Sequence, residues 1–323
     1  MHTTRKIWHK RSMTQTHLLR AGVIGAGAFG ANHVRKYAEH SGVRLTAVYD
    51  RDLPRAQAVV EPYAAIATND LDVFFDAVDI VTVAAPAVVH GELALAALKA
   101  GKHVYVEKPL AATVAEADAI LAAQCDRVLA CGHQERAVFT AMGLLDIPER
   151  PISLDATRAG VWSGRGADVT VTLDLMVHDL DLCLALGLDD LAIVSATGQR
   201  VHSASVDAIT ARYAAGSTVV TLTASRMASE LSRHMTLVYP SGRVHIDFVA
   251  RAFENTTPFA LNADFADTAA GRDPLGASVG AFIAAVHTPG TRPLVTGSEA
   301  RMALALALAA DQTVHLAFEE TVS

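Results

Sequence analysis

The chain has 323 residues, of which 51% are hydrophobic and 19% charged, and its formal net charge is −7. This is the composition of a folded globular protein long enough to bury two cores, which excludes a disordered chain. The acidic balance excludes a protein built to cover nucleic-acid phosphates or an anionic membrane, because both need surplus lysine and arginine to displace counterions.

Residues 1–17 carry Arg5, Lys6, Lys10 and Arg11 with no acid and no apolar block, so they are no secretory signal and are expected to lack fixed structure, with Met13 as an alternative start. Cys125, Cys131 and Cys183 form no CxxC pair or metal-ligand spacing, as expected of core residues in a cytoplasmic protein. No apolar run reaches the roughly 18 residues of a membrane span.

A short buried strand over 18–24 runs into Gly25-Ala26-Gly27-Ala28-Phe29-Gly30, and helical composition follows over 32–40. Strand, glycine turn and helix form a site for a dinucleotide. Gly25 makes the tight turn, Gly27 lets backbone approach a pyrophosphate, Gly30 lets the helix pack on the strand, and the helix N-terminus faces the anion. A second strand over 45–49 ends in Asp50, about twenty residues beyond the turn, where an acid binds the adenosine ribose hydroxyls and favours NAD over NADP; Arg51, next to it, softens that preference.

The alternation continues with strands over 64–67, 77–85 and 103–106, helices over 92–100 and 114–124, and a sixth strand over 128–131. Strands and helices in turn give a doubly wound parallel sheet, a Rossmann domain over 18–136. Its ligands lie at the carboxyl ends of the strands, which points to Ala85, Pro86, His90, Glu107 and Lys108. Pro109 restricts Lys108 to an extended conformation, giving the ammonium a fixed origin beside the cofactor, although a lysine at a strand end is more often a solvated charge. His90 either abuts the cofactor or is a half-buried histidine at a helix start. Gly132 to Arg136 reads as the hinge to a second domain.

From Pro151 the pattern changes to alternating runs over 152–158, 192–201, 208–213, 218–225, 235–239 and 244–248, with turns at Ala215-Gly216-Ser217 and Pro240-Ser241-Gly242. This predicts an α+β domain over 137–297 whose mainly antiparallel, open-faced sheet has a helix on one side and a second face free for another subunit, so that the protein is a homo-oligomer. A last helix over 298–316, capped by Ser298, is expected to return to the first domain.

Between the first two runs lies Asp174-Leu175-Met176-Val177-His178-Asp179-Leu180-Asp181. If helical, it puts Asp174, His178 and Asp181 on one face and Asp179 elsewhere. A carboxylate four residues before a histidine can accept the imidazole N–H and raise its pKa, as a general base requires. The same stretch could instead be an acid-rich helix start over a buried histidine, or, less readily, a metal cluster.

Together these motifs resemble the Gfo/Idh/MocA family of nicotinamide-dependent sugar oxidoreductases from about residue 18 onward. Ala21 to Gly30 is similar to its nucleotide turn, Ala100-Gly101-Lys102-His103-Val104 through Glu107-Lys108-Pro109 to its AGKHV…EKP signature, and Asp174 to Asp181 to its DxxxHxxD. The resemblance implies NAD-linked oxidation of a secondary alcohol by Lys108, Asp174 and His178. With His178 as base, Asp174 would orient it and Lys108 would stabilise the alkoxide, although lysine and histidine could exchange roles.

Gly132-His133-Gln134-Glu135-Arg136, Asp174 to Asp181, and Leu222-Thr223-Ala224-Ser225-Arg226 look like the bacterial branch that oxidises C3 of UDP-N-acetylglucosamine on the way to 3-amino sugars for lipid A. Ala137-Val138-Phe139 departs from that branch, which usually has Phe-Asn-Pro there. A diphosphate substrate implies cations, for which Arg136, Arg158, Arg165 and Arg226 are candidates, with Asp181 in support. Dehydrogenases of free polyols or uronic-acid nucleotides, and glycosidases that borrow and return a hydride, share the same residues.

Overall fold

The computed structural model describes residues 18–164 and 168–322. Six strands, β1 (Leu19–Ile24), β2 (Val43–Tyr49), β3 (Ile66–Thr68), β4 (Ile80–Val83), β5 (His103–Val106) and β6 (Leu129–Cys131), make a wholly parallel sheet in the order 3-2-1-4-5-6. The β4 residues Ile80, Val81, Thr82 and Val83 are all buried, as in a sheet covered by helices on both faces. Strand order reverses between β1 and β4, and the crevice at that switch point is where ligands of such sheets bind.

The first helix starts at Ala28, directly on the glycine turn and four residues earlier than composition suggested. Helices Leu53–Val60, Leu71–Asp76 and Pro274–His287, absent from the sequence reading, begin at the aspartate caps Asp52, Asp70 and Asp273, whose side chains accept from backbone N–H groups two or three residues on. The expected hinge at 132–136 leads straight into another unforeseen helix, Glu135–Met142.

The second sheet has seven strands, β7 (Ser153–Ala159), β8 (Ala192–Gln199), β9 (Ala208–Ala215), β10 (Thr218–Ser225), β11 (Ser232–Tyr239), β12 (Gly242–Asp247) and β13 (Ala252–Asn255), in the order 13-12-11-7-10-9-8. Among the described residues only the β7–β10 pairing of this sheet is parallel. In β10 Val220, Leu222 and Ala224 are buried while Val219, Thr221 and Thr223 face the other way, the period-two pattern of a sheet with one covered face. The turn Thr172–Met176, against β10, and the long helix Gly297–Val322, against β8, cover it. The latter runs beyond the expected end at 316 and also touches the first domain, where Arg301 pairs with Asp118 at 2.8 Å.

Candidate active site

Gly25 has φ +103°, and a Cβ there would lie 2.6 Å from the carbonyl oxygen of Ala84, so the turn requires glycine. A Cβ at Gly30 would collide with the Gly25 carbonyl, so this glycine sets the approach of helix to strand. Among the described residues a Cβ at Gly27 would meet nothing within 4 Å, and no side chain caps the helix that follows. A bare cradle at an uncapped helix N-terminus fits a pyrophosphate.

Asp50 Oδ2 accepts from the Ala26 amide at 2.8 Å and Oδ1 from the Asp52 amide at 2.9 Å, which aims the carboxylate along the crevice. A cavity of about 400 Å³ lies there between Gly25, Asp50, Arg51, Arg55, Ala85 and Pro86. A neighbouring one of about 340 Å³ is lined by Phe29, Ala85, His90, Lys108, Val169 and Asp174, where the two domains meet. Ala28 and Glu107 also line it. These residues fit a dinucleotide.

His90 is buried, its Nδ1 2.7 Å from the Pro109 carbonyl and its Nε2 2.8 Å from the Ala85 carbonyl. It therefore ties together the loops after β4 and β5 that form the crevice floor. Glu107 also turns inward, accepting from His33 Nε2 at 2.7 Å and Gln134 Nε2 at 3.0 Å. Burial pushes its carboxyl pKa up, but the His33 bond and the charges of His33 and Lys108 outweigh that and hold it low.

Lys108 Nζ donates to Asp174 Oδ1 at 3.0 Å and to the Asp174 carbonyl at 2.7 Å. This corrects the expectation that Asp174 orients His178. A lysine ammonium offers a charge-assisted bond that a neutral imidazole cannot match, and the carboxylate has turned to it. Asp174 lies in a π-helical turn, Thr172–Met176, that passes into α-helix at Val177. Thr170 and Thr172 anchor that turn, donating to Asp311 at 2.6 and 2.5 Å.

His178 is half-buried, and its Nδ1 has no hydrogen-bond partner among the described residues. The ring of His133 meets it edge-on at 6.0 Å between centroids. Instead of being raised by a carboxylate, the His178 pKa is driven well below the usual histidine value, first by burial and then by the charges of Lys108 and Arg158. The ring is neutral at physiological pH and able to accept a proton.

The other two acids of the stretch have separate partners. Asp179 takes Arg158 at 2.8 Å, and Arg158 also holds Glu135 through a bond of 2.7 Å, so Arg158 is an interior cation. Asp181 takes Arg136 through a two-bond fork of 2.8 and 2.9 Å, and Arg136 reaches Glu299 at 2.6 Å. Burial raises the Glu299 carboxyl, but bonds from Arg136, Arg292 and the Thr296 amide more than reverse this and bring it to about 2. Arg136 and Asp181 thus satisfy each other inside the fold, which corrects their assignment to substrate.

Arg226 is corrected in the same way: it is buried, bonded to Asp207 at 3.0 Å and stacked on Trp162 at 5.3 Å. Arg165 lies outside the described residues.

Sequence reasoning missed Arg233. It pairs with Arg158 across β7 and β11 and shares the inward parity of Met235, Leu237 and Tyr239, so its strand-start position is a charge on the covered face. Reading that strand only from Met235 hid the signal.

The described helices include none long and apolar enough to cross a membrane. Residues 19–132 match the model of an oxidoreductase family with an NAD-binding Rossmann fold, Gfo/Idh/MocA. Over 307 residues, 88% of this chain and 97% of its relative, the sequence is 32% identical to a UDP-N-acetylglucosamine 3-dehydrogenase of Acidithiobacillus ferrooxidans. The solved structure of the enzyme of that name from the same organism aligns with a TM-score of 0.81 at 31% identity, covering 93% of this chain and 98% of that one. A myo-inositol 2-dehydrogenase structure from Lactobacillus plantarum, 21% identical, aligns at 0.74 over 93% of this chain and 98% of its own, and shows the fold alone. An inositol 2-dehydrogenase of Salmonella typhimurium is 38% identical over 112 residues, 33% of each chain.

Proposed function

The chain belongs to the Gfo/Idh/MocA oxidoreductases, and from that premise we propose that it oxidises C3 of UDP-N-acetylglucosamine to the ketone, with NAD as acceptor. The observation that carries this reading is the likeness to the Acidithiobacillus enzyme across 97% of that enzyme's length, cofactor half and substrate half together. The inositol 2-dehydrogenase match spans only 33% of this chain, against 88% for the Acidithiobacillus enzyme.

When bound, the nicotinamide supplies the hydride acceptor. The chain's own residues manage the proton and the charge. His178, neutral and half-buried, takes the hydroxyl proton, and Lys108 donates a hydrogen bond to the oxygen as it becomes an alkoxide. Asp174 positions Lys108, setting its ammonium by an ion pair on one side and leaving Nζ hydrogen free on the other. The ketone is a substrate class for transamination to a 3-amino sugar. We place subunit contacts of a homo-oligomer on the open face of the second sheet, where Val194 and Val219 are exposed.

Incubation with NAD and UDP-N-acetylglucosamine should yield NADH, and more of it when an aminotransferase removes the ketone. No NADH even with that trap would sink the assignment. Asp50 is proposed to bind the ribose hydroxyls and select NAD. Asp50→Ala should therefore raise the KM for NAD about ten- to hundredfold, the worth of hydrogen bonds to a charged group, and narrow the NAD/NADP preference; an unchanged preference would refute the role of Asp50.

A further inference from the structure

Beside the catalytic cluster lies a cavity of about 280 Å³ that the reading above leaves without an occupant. Its lining includes Glu135, Arg233, Phe248, Arg251, Phe265 and Arg272. Three guanidinium groups face one carboxylate, and that carboxylate is already engaged, since Glu135 takes Arg158 on both oxygens. Arg251 donates to the carbonyls of Ala266 and Gly271, which fastens the Phe265–Arg272 segment as one wall. Arg272 stands 3.9 Å from Asp267, both exposed, a contact too loose to neutralise it.

Arg233 has no such duties. Its Nε is buried with no hydrogen-bond partner, and no ion pair engages its guanidinium among the described residues. A half-buried cation of this kind is costly unless an anion arrives to pair with it. Phe248, whose backbone amide bonds to the Arg233 carbonyl at 2.9 Å, gives the cavity a flat apolar side, as does Phe265. The cavity lies close to the reacting groups: Arg233 pairs with Arg158 in the β11–β7 register, and Arg158 bonds both Glu135 of the cavity wall and Asp179, the residue after His178.

We infer that this cavity binds the diphosphate of a nucleotide-sugar substrate, with Arg233 as its main contact and Arg272 as a second. The inference rests on the nucleotide-sugar reading above. A forked guanidinium matches paired phosphate oxygens, and a volume of about 280 Å³ suits two phosphates with part of a ribose against the phenylalanines.

The test compares wild type with Arg233→Gln and Arg233→Lys. It uses steady-state kinetics with UDP-N-acetylglucosamine, and UDP titrated into protein saturated with NADH so that the nucleotide turn is filled. Arg233→Gln should raise the KM for the UDP-sugar and the Kd for UDP about ten- to hundredfold, with the KM for NAD within twofold; Arg233→Lys should recover part of the loss. If UDP-N-acetylglucosamine is oxidised and Arg233→Gln leaves its KM within twofold, the subsite is wrong and the dehydrogenase reading stands. If UDP binds wild type, binds Arg233→Gln more weakly, and no UDP-sugar is oxidised, the subsite stands and the C3 reading fails. Absence of both UDP binding and UDP-sugar oxidation overturns both.

Discussion

His178→Asn is expected to lower kcat for sugar oxidation by about 10²–10⁴-fold, the usual contribution of a general base, while leaving the KM for NAD within a few-fold. Asparagine keeps a polar group of similar reach but cannot take a proton at any accessible pH. In the wild type, burial and the nearby charges of Lys108 and Arg158 disfavour the imidazolium, so the ring is already in its accepting form when substrate arrives. The sign of the pH dependence follows. Activity falls as His178 becomes protonated, and because its pKa is depressed, the acid limb of kcat lies below the ordinary histidine value of about 6.5. Stopped-flow NADH formation between pH 5 and 9 on both proteins measures it. A variant that keeps the wild-type rate and acid limb would transfer the proton to another group, with Lys108 the first to examine.

How far the sequence reaches is uneven, and the reason is local versus long-range determination. The glycine turn is legible because backbone sterics act over six residues: Gly25 at φ +103° and Gly30 against the Gly25 carbonyl can be nothing larger. Strands are legible where apolar residues alternate or run together, and β5 and β10 match their expected ranges. Pairing of charges is not legible in this way. Asp174, Asp179 and Asp181 lie within eight residues, yet their cations come from 66, 21 and 45 positions away, on the loop after β5, on strand β7 and on helix Glu135–Met142. Spacing along one helix pairs Asp174 with His178, but across the domain junction the Lys108 ammonium competes for the same carboxylate and offers more. Other signals were present but unread. Asp52-Leu53-Pro54 and Asp273-Pro274 are helix starts by composition, and Arg233 becomes an inward charge once β11 is extended to Ser232.

The second large effect concerns stability. Arg136→Met is expected to cost about 3–5 kcal/mol, because the fully buried Asp181 would be left without its partner. One kcal/mol moves the melting temperature of a domain of this size by about 2–4 °C, so the fall should be roughly 6–20 °C in a thermal scan. Arg136 stands on helix Glu135–Met142, Asp181 on helix Val177–Ala185 and Glu299 in the first turn of the terminal helix, so the loss would loosen three elements at the junction that carries Lys108 and His178. Adding Asp181→Leu to Arg136→Met removes the stranded carboxylate and fills its space with apolar volume. Buried ion pairs replaced as a unit are often neutral in stability, so the double variant should regain at least half of the lost melting temperature. If the double variant melts as low as the summed single effects, the destabilisation comes from lost packing of the arginine stem and not from an unpaired charge at Asp181.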